Sequence, residues 1–232
     1  MKKNKNILIV GASGGIGTEL LYQSIENKNT NVYALVRKIG SLDKLQKKHQ
    51  NLHPIYLDLE DKNYKKKLEN SLINVKQIEL CIFNAGYLHL NTFLNLNSKE
   101  IEKSFQINAF APLYTAQVLL PKMLKKGGHI VQISTMGAIQ GSVKFSGLTA
   151  YSGSKSVMCN LTELFAEEHK DTLVRMNCLC LGAVQTEMLK KAFPDFQAIV
   201  KPKEMAQFIL HFAFESHKFI NGKIIPVSLS TP

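Results

Sequence analysis

Tyr151 and Lys155 stand four residues apart in Tyr-Ser-Gly-Ser-Lys, at the start of an amphipathic stretch. On a helix that spacing brings both side chains to one face. A phenol titrates near pH ~10 in water, too high for easy proton exchange at neutral pH. An ammonium group beside it favours the phenolate and lowers that value. The pair reads as a tunable acid/base for carbonyl–alcohol interconversion. Met158, Thr162 and Phe165 continue the face, so it is expected to turn inward. Tyr and Lys at this spacing also meet by chance in many helices, so other segments must decide the matter.

A second segment suits a dinucleotide. Gly11-Ala-Ser13-Gly-Gly15-Ile16-Gly17 follows an apolar run and precedes a helical one. Its glycines fall at G-x-x-x-G-x-G spacing, which differs from the commoner G-x-G-x-x-G fingerprint. Glycine permits a tight turn and lets phosphate oxygens approach the backbone. The following helix start offers free N–H groups and a positive dipole end to a pyrophosphate. An NAD site places a carboxylate on the ribose hydroxyls about 20 residues further on. Here the second apolar run ends Val36-Arg37-Lys38, with no acid. A guanidinium binds a 2′-phosphate bidentately, and Ser13 can add a hydroxyl. NADP(H) is therefore expected in preference to NAD(H), the alternative being that Arg37 and Lys38 are plain surface cations.

These residues need a scaffold, and the chain alternates accordingly. Strands are predicted over Asn6–Val10, Asn31–Arg37, Leu52–Leu57, Ile78–Asn84, His129–Ser134, Leu173–Leu181 and Lys223–Val227. Helices are predicted over Gly15–Glu26, Leu42–His49, Asn63–Leu72, Ser98–Leu124, Tyr151–His169 and Pro202–Phe214. The strands are apolar almost throughout, as buried parallel strands must be. The expected fold class is α/β: one Rossmann-type, doubly wound domain over 1–232, about seven parallel strands flanked by helices. Ligands of such sheets bind beyond the carboxyl ends of the strands. Chemistry is expected after Val10, Arg37, Leu57, Ile82, Ser134 and Leu181.

The 232 residues carry 29 Lys and Arg against 18 Asp and Glu, a formal charge of +11. The 45% hydrophobic and 20% charged fractions exclude a disordered chain, a collagen and a small disulfide scaffold. No apolar run approaches the roughly 18 residues of a membrane span. The basic opening is followed by only Ile7–Val10 before Gly11, too short for a secretion signal. The lysines are scattered without interleaved aromatics, so no nucleic-acid partner is expected and the charge speaks to solubility. Cys81, Cys159, Cys178 and Cys180 lie mostly in apolar segments, and Cys178 and Cys180 share a strand face. No Cys/His spacing resembles a zinc site. A cytoplasmic protein with reduced, buried thiols and no metal is expected.

Two further segments complete a pattern: Phe83-Asn84-Ala85-Gly86 after the fourth strand, and Ile130-Val-Gln-Ile-Ser134-Thr135 at the end of the fifth. With the glycine turn and YxxxK, in this order, the chain resembles the short-chain dehydrogenase/reductase family from Ile7 to Val227. The resemblance implies an NAD(P)-dependent oxidoreductase that moves a hydride between nicotinamide and a carbonyl or alcohol. It implies that Tyr151 is the acid/base, and that Lys155 lowers its pKa and holds the ribose hydroxyls. Asn108, in the long fourth helix, is implied to support a proton-relaying water. Ile101, Phe105 and Asn108 share a helical face, so Asn108 is expected to be buried and to need partners. Implied cofactor contacts are Gly11, Ser13, Gly15, Ile16, Gly17, Arg37, Lys38, Asp58, Leu59, Asn84, Ala85, Gly86, Tyr151, Lys155, Gly182, Val184 and Thr186.

Departures from the family pattern matter too. Val10 and Leu181 stand where Thr and Pro are usual. Family members commonly end the fifth strand N-I-S-S, with the second serine catalytic. Strict alignment puts Thr135 there, with Ser134 beside it. A threonine hydroxyl donates as well as a serine's, though its β-branching restricts χ1. An insertion over Ala138–Ser146 blurs the alignment, and both residues stay candidates. The substrate-capping segment is expected at about 186–201, where Met188, Leu189, Phe193 and Phe196 either cap an apolar pocket or pack a short helix. Ala138, Gln140, Val143 and Phe145 are candidates for the other wall, with His89 and Leu90 behind them. Lys190 and Lys191 are read as surface lysines. The resemblance also implies a homodimer or homotetramer through the fourth and fifth long helices. Two rival readings remain: a nucleotide-sensing relative without turnover, and a nucleic-acid binder motivated by charge alone.

Overall fold

Short runs rich in Ile, Val and Leu form seven parallel strands: β1 (Lys5–Val10), β2 (Thr30–Val36), β3 (Leu52–Tyr56), β4 (Leu80–Phe83), β5 (Gly128–Thr135), β6 (Val174–Leu181) and β7 (Ile224–Val227). The computed structural model describes residues 4–230, so the expected 1–232 domain runs slightly past the described residues at both ends. The strands make one sheet in the order β3-β2-β1-β4-β5-β6-β7. β1 pairs with β2 on one side and β4 on the other, so chain direction across the sheet reverses there. That crevice is the switch point where doubly wound folds bind ligands.

Successive strand residues feed opposite faces. Leu8 and Val10 join one core and Ile7 and Ile9 the other. Helices α1 (Ile16–Ile25) and α8 (Pro202–Glu215) cover the second core through Leu20, Leu21, Met205 and Ile209. The first core lies beneath α3 (Tyr64–Ser71), α5 (Ala111–Met123) and α6 (Thr149–Glu168), through Leu68, Leu119 and Met158. Both sheet faces are buried, which is why the strand runs are apolar without alternation.

Two helices differ from expectation. The predicted 42–49 helix shrinks to α2 (Asp43–Gln46). The predicted 98–124 helix is broken into α4 (Ser98–Phe105), a π-helical turn at Gln106–Phe110, and α5. Pro112 explains the break. It has no N–H to complete the α-helical bond back to Asn108, and the Ala111 N–H reaches five residues back to the Gln106 carbonyl. Such turns often mark functional sites. No described helix is long and apolar enough to cross a membrane. All four cysteines are free and buried.

Candidate active site

The glycine turn links β1 to α1 and is locked by neighbours. Gly11 has φ 83° and Gly15 φ 50°, backbone that residues with a Cβ adopt at a cost. A Cβ on Gly17 would lie 1.9 Å from the Gly11 carbonyl oxygen, and one on Gly11 would lie 2.7 Å from Ala85 Cα. Asn84 Nδ2 donates to the Gly11 carbonyl at 3.0 Å, tying the end of β4 to this turn. Gly15 faces Thr186, whose hydroxyl accepts the Leu189 N–H and caps α7 (Glu187–Ala192).

Beyond the carboxyl ends of the strands lies a cavity of about 540 Å³. Gly11, Ser13, Gly15, Ile16, Arg37, Asp58 and Leu59 line one end of the predicted set. Asn84, Ala85, Gly86, Gly182, Val184 and Thr186 line its middle, with Ser134, Thr135, Tyr151 and Lys155. Three predicted site residues fall outside this lining. Gly17 lies behind the turn, where its missing Cβ lets the Gly11 carbonyl and Asn84 close in. Lys38 is exposed in the bend after β2. Asn108 is fully buried behind the cavity wall.

Tyr151 and Lys155 both sit in the first two turns of α6. Lys155 is 2% exposed. Its Nζ donates to the carbonyl oxygens of Ala85 at 3.1 Å and Ile133 at 2.9 Å. Burial pushes its pKa down to about 8, against the opposing pull of three nearby thiols. Tyr151 was expected to be lowered by this lysine. Instead burial pushes it up to about 12, moderated by a hydrogen bond with the Thr135 side chain. The reason is burial: the phenol loses the water that would stabilise its charged form.

The two candidate hydroxyls separate cleanly. Ser134 is 4% exposed, and its Oγ donates to the Lys155 carbonyl at 3.1 Å. Thr135, one residue further, meets the Tyr151 side chain. Both line the cavity, but Ser134 is engaged by the Lys155 carbonyl while Thr135 lies beside Tyr151.

Asn108 is held on three sides. Its Oδ1 accepts the Tyr87 N–H at 2.8 Å, and its Nδ2 donates to the Tyr87 carbonyl at 2.8 Å and to Ser154 Oγ at 3.0 Å. It thereby joins the π-helical turn to α6 and to the segment after β4. Ile101, placed on the same face by helical spacing, is 40% exposed. The π-helical turn shifts the register between them. Sequence reading missed Tyr87, which carries no signal of its own, and Ser154. Ser154, inside YxxxK, is the one that spacing marks.

The far end of the cavity is apolar. Leu88, Phe145, Leu148, Met188, Leu189 and Phe193 line it. Phe145 and Phe193 meet edge to face with ring centroids 5.4 Å apart. Of the other proposed wall residues, Ala138 and Gln140 border a second cavity, and Val143, Leu90 and Phe196 line neither. Lys190 and Lys191 also stay outside. His89 is engaged by Glu100 at 2.7 Å.

The glycine-rich turn and the Tyr/Lys/Thr cluster thus share one cavity at the carboxyl ends of a parallel sheet. Residues 5–197 match the family model described as short chain dehydrogenase. The chain is 25% identical to estradiol 17-beta-dehydrogenase 11 of Rattus norvegicus over 96% of this chain and 79% of that protein. It is 28% identical to the NADPH carbonyl reductase 2 of Sus scrofa over 85% of this chain and 79% of that one. Its fold matches a solved structure, ElxO with NADP bound, with a TM-score of 0.85 at 21% identity, covering 97% of each chain. The chain belongs to the short-chain dehydrogenase family, NAD(P)-dependent oxidoreductases acting on CH–OH and C=O groups.

Proposed function

We propose that this protein is an NADP(H)-dependent oxidoreductase that interconverts a small-molecule carbonyl and its alcohol, with Tyr151 as acid/base. The observation that carries this reading is the convergence of Tyr151, Thr135 and Lys155 on the cavity that the glycine turn also lines.

The residues fit a dinucleotide. Gly11 and Gly15 hold backbone that a Cβ would strain, and Gly14 faces open space within 4 Å. The α1 start offers its N–H groups to a pyrophosphate. Arg37, at the end of β2, supports a 2′-phosphate and hence NADP(H) over NAD(H). Asp58 and Leu59 border the adenine end, and Thr186, Gly182 and Val184 the nicotinamide end. When bound, the nicotinamide supplies the hydride for reduction and accepts it in oxidation.

The protein's own groups move and hold the proton. The Tyr151 hydroxyl gives its proton to the substrate oxygen, and Thr135 donates a hydrogen bond to the same atom. Donors aimed at developing negative charge stabilise the transition state. Lys155 spends two of its three N–H donors on carbonyls. The third is left for ribose hydroxyls and for the phenolate as charge forms. Asn108 acts at one remove, holding the segment after Gly86 against α6. The apolar far end takes the body of the substrate, closed by the 186–201 segment. We further place the protein in the cytoplasm as a homodimer or homotetramer joined through α4, α5 and α6.

The test is titration of purified protein with NADPH and NADH, followed by oxidation kinetics across aldehydes, ketones and quinones. Turnover that vanishes in Tyr151→Phe while NADPH still binds is the expected result. Failure to bind either nucleotide would overturn the reading.

A further inference from the structure

Beneath Lys155, on the side of α6 turned to the sheet, three thiols meet. Cys159 comes from α6, one turn after Lys155, and Cys178 and Cys180 come from one face of β6. Cys159 Sγ is 3.7 Å from Cys180 Sγ, and Cys178 Sγ is 4.0 Å from Cys180 Sγ. All three sulfurs lie within 4.8 Å of one another. We propose that Cys159, Cys178 and Cys180 form a three-sulfur site for a soft d10 cation of the Cu(I) class.

The geometry argues for it directly. A metal–sulfur bond of about 2.3 Å, placed at the centre of an equilateral triangle, requires sulfurs about 4.0 Å apart. The observed separations already bracket that edge, so the site closes with little movement of strand or helix. The ligand chemistry narrows the class. Sulfur-only sites select soft ions, whereas magnesium and calcium take oxygen ligands. Structural zinc takes four ligands, and among the described residues this group offers three.

The surroundings are built rather than incidental. Gln132 lies opposite Cys178 in the β5–β6 register and is 1% exposed, yet neither amide atom has a hydrogen-bond partner. A buried amide without partners is costly, and this one borders the thiols. Ser134 stands opposite Cys180 in the same register. The Lys155 ammonium, one turn along α6, offsets the negative charge of three metal-bound thiolates. Cys159 borders a second cavity of about 740 Å³, with Glu163, Ser156 and Asn160 in its wall. A carboxylate one turn beyond Cys159 draws cations toward it.

Binding is a proton exchange without electron transfer. Each thiol loses its proton as its sulfur bonds the metal, so one Cd(II) displaces three protons and leaves a tris-thiolate of charge −1. Cd(II) alone is the probe, titrated anaerobically into the reduced, full-length protein. We expect one ion per chain, a sulfur-to-metal charge-transfer band, and three protons released. Cys159→Ala and Cys178→Ala should each weaken uptake at least tenfold, and Cys81→Ala should not. Should a triad variant fail to fold, alkylation of the wild type decides. Cd(II) must then shield Cys159, Cys178 and Cys180 and leave Cys81 unchanged. Absence of uptake by the folded, reduced protein would overturn the proposal, as would uptake that survives loss of Cys159 or Cys178, or equal weakening by Cys81→Ala. None of these readouts depends on catalysis.

Discussion

Lys155 gives the sharpest quantitative test. Burial moves its pKa from the usual 10.5 down to about 8. At about 1.4 kcal/mol per pH unit, that displacement is worth about 3 to 4 kcal/mol. The direction follows from proton counting. Between pH 8 and 10.5 the unfolded chain binds this proton more firmly than the folded one, so stability rises with pH. The penalty is fully present below pH 8 and gone above 10.5. Lys155→Met removes the titrating group and keeps an apolar stem in the same space. Urea melts of the nucleotide-free wild type and Lys155→Met across pH 7 to 11 isolate the effect, since the other lysines titrate in both proteins. The stability of wild type minus variant should climb by about 3 to 4 kcal/mol through the window. A flat difference would show that the buried amine keeps an ordinary pKa, and a falling one would reverse the argument.

Thr135→Ala should lower kcat about a hundredfold by removing a hydroxyl aimed at the substrate oxygen, while Thr135→Ser retains most of it. Ser134→Ala should leave kcat within a few-fold and cost about 1 kcal/mol, the worth of its bond to the Lys155 carbonyl. Steady-state kinetics and thermal melts of the three variants check this together. Asn108→Ala orphans both backbone groups of Tyr87 and removes the donor to Ser154 Oγ, whose own proton stays on the Tyr151 carbonyl, and should cost about 3 kcal/mol in denaturant melts. Arg37→Ala should raise the Kd for NADPH at least tenfold, about 1.4 kcal/mol, and leave that for NADH unchanged. Equal losses for both nucleotides would place Arg37 away from the 2′-phosphate.

The scaffold was legible because its signals are local. A parallel strand buried on both faces must be an apolar run, and β1 to β7 follow such runs closely. The glycine turn and the Tyr151–Lys155 spacing are likewise local, since one turn or one helix face sets their geometry. What stayed hidden depends on partners distant in the chain. The π-helical turn follows from the missing N–H of Pro112, a cue present in the sequence but outweighed by the helical pattern around it. The rise of the Tyr151 pKa could not be read because it comes from burial, which only the tertiary packing sets. The choice between Ser134 and Thr135 needed the strand end to be set against α6. Cys159 lies on a helix and Cys178 and Cys180 on the next strand, so no spacing rule joins them.

Strand β1 lies in the sheet interior between β2 and β4, and its glycine turn is clamped by Asn84 and Ala85 from the segment after β4. The cavity therefore draws on segments from Gly11 to Phe193. Neither half of the chain can enclose it alone. Parallel pairing of strands separated by whole helices closes long loops before any contact compensates for the lost entropy, and such topologies fold slowly. During refolding, NADPH binding should thus return in one late phase, together with protection of the β1–β4 amides. Helical signal, which needs only local order, should recover before it. Until then the edge of β4 lies open to other chains, so refolding yield should fall as protein concentration rises.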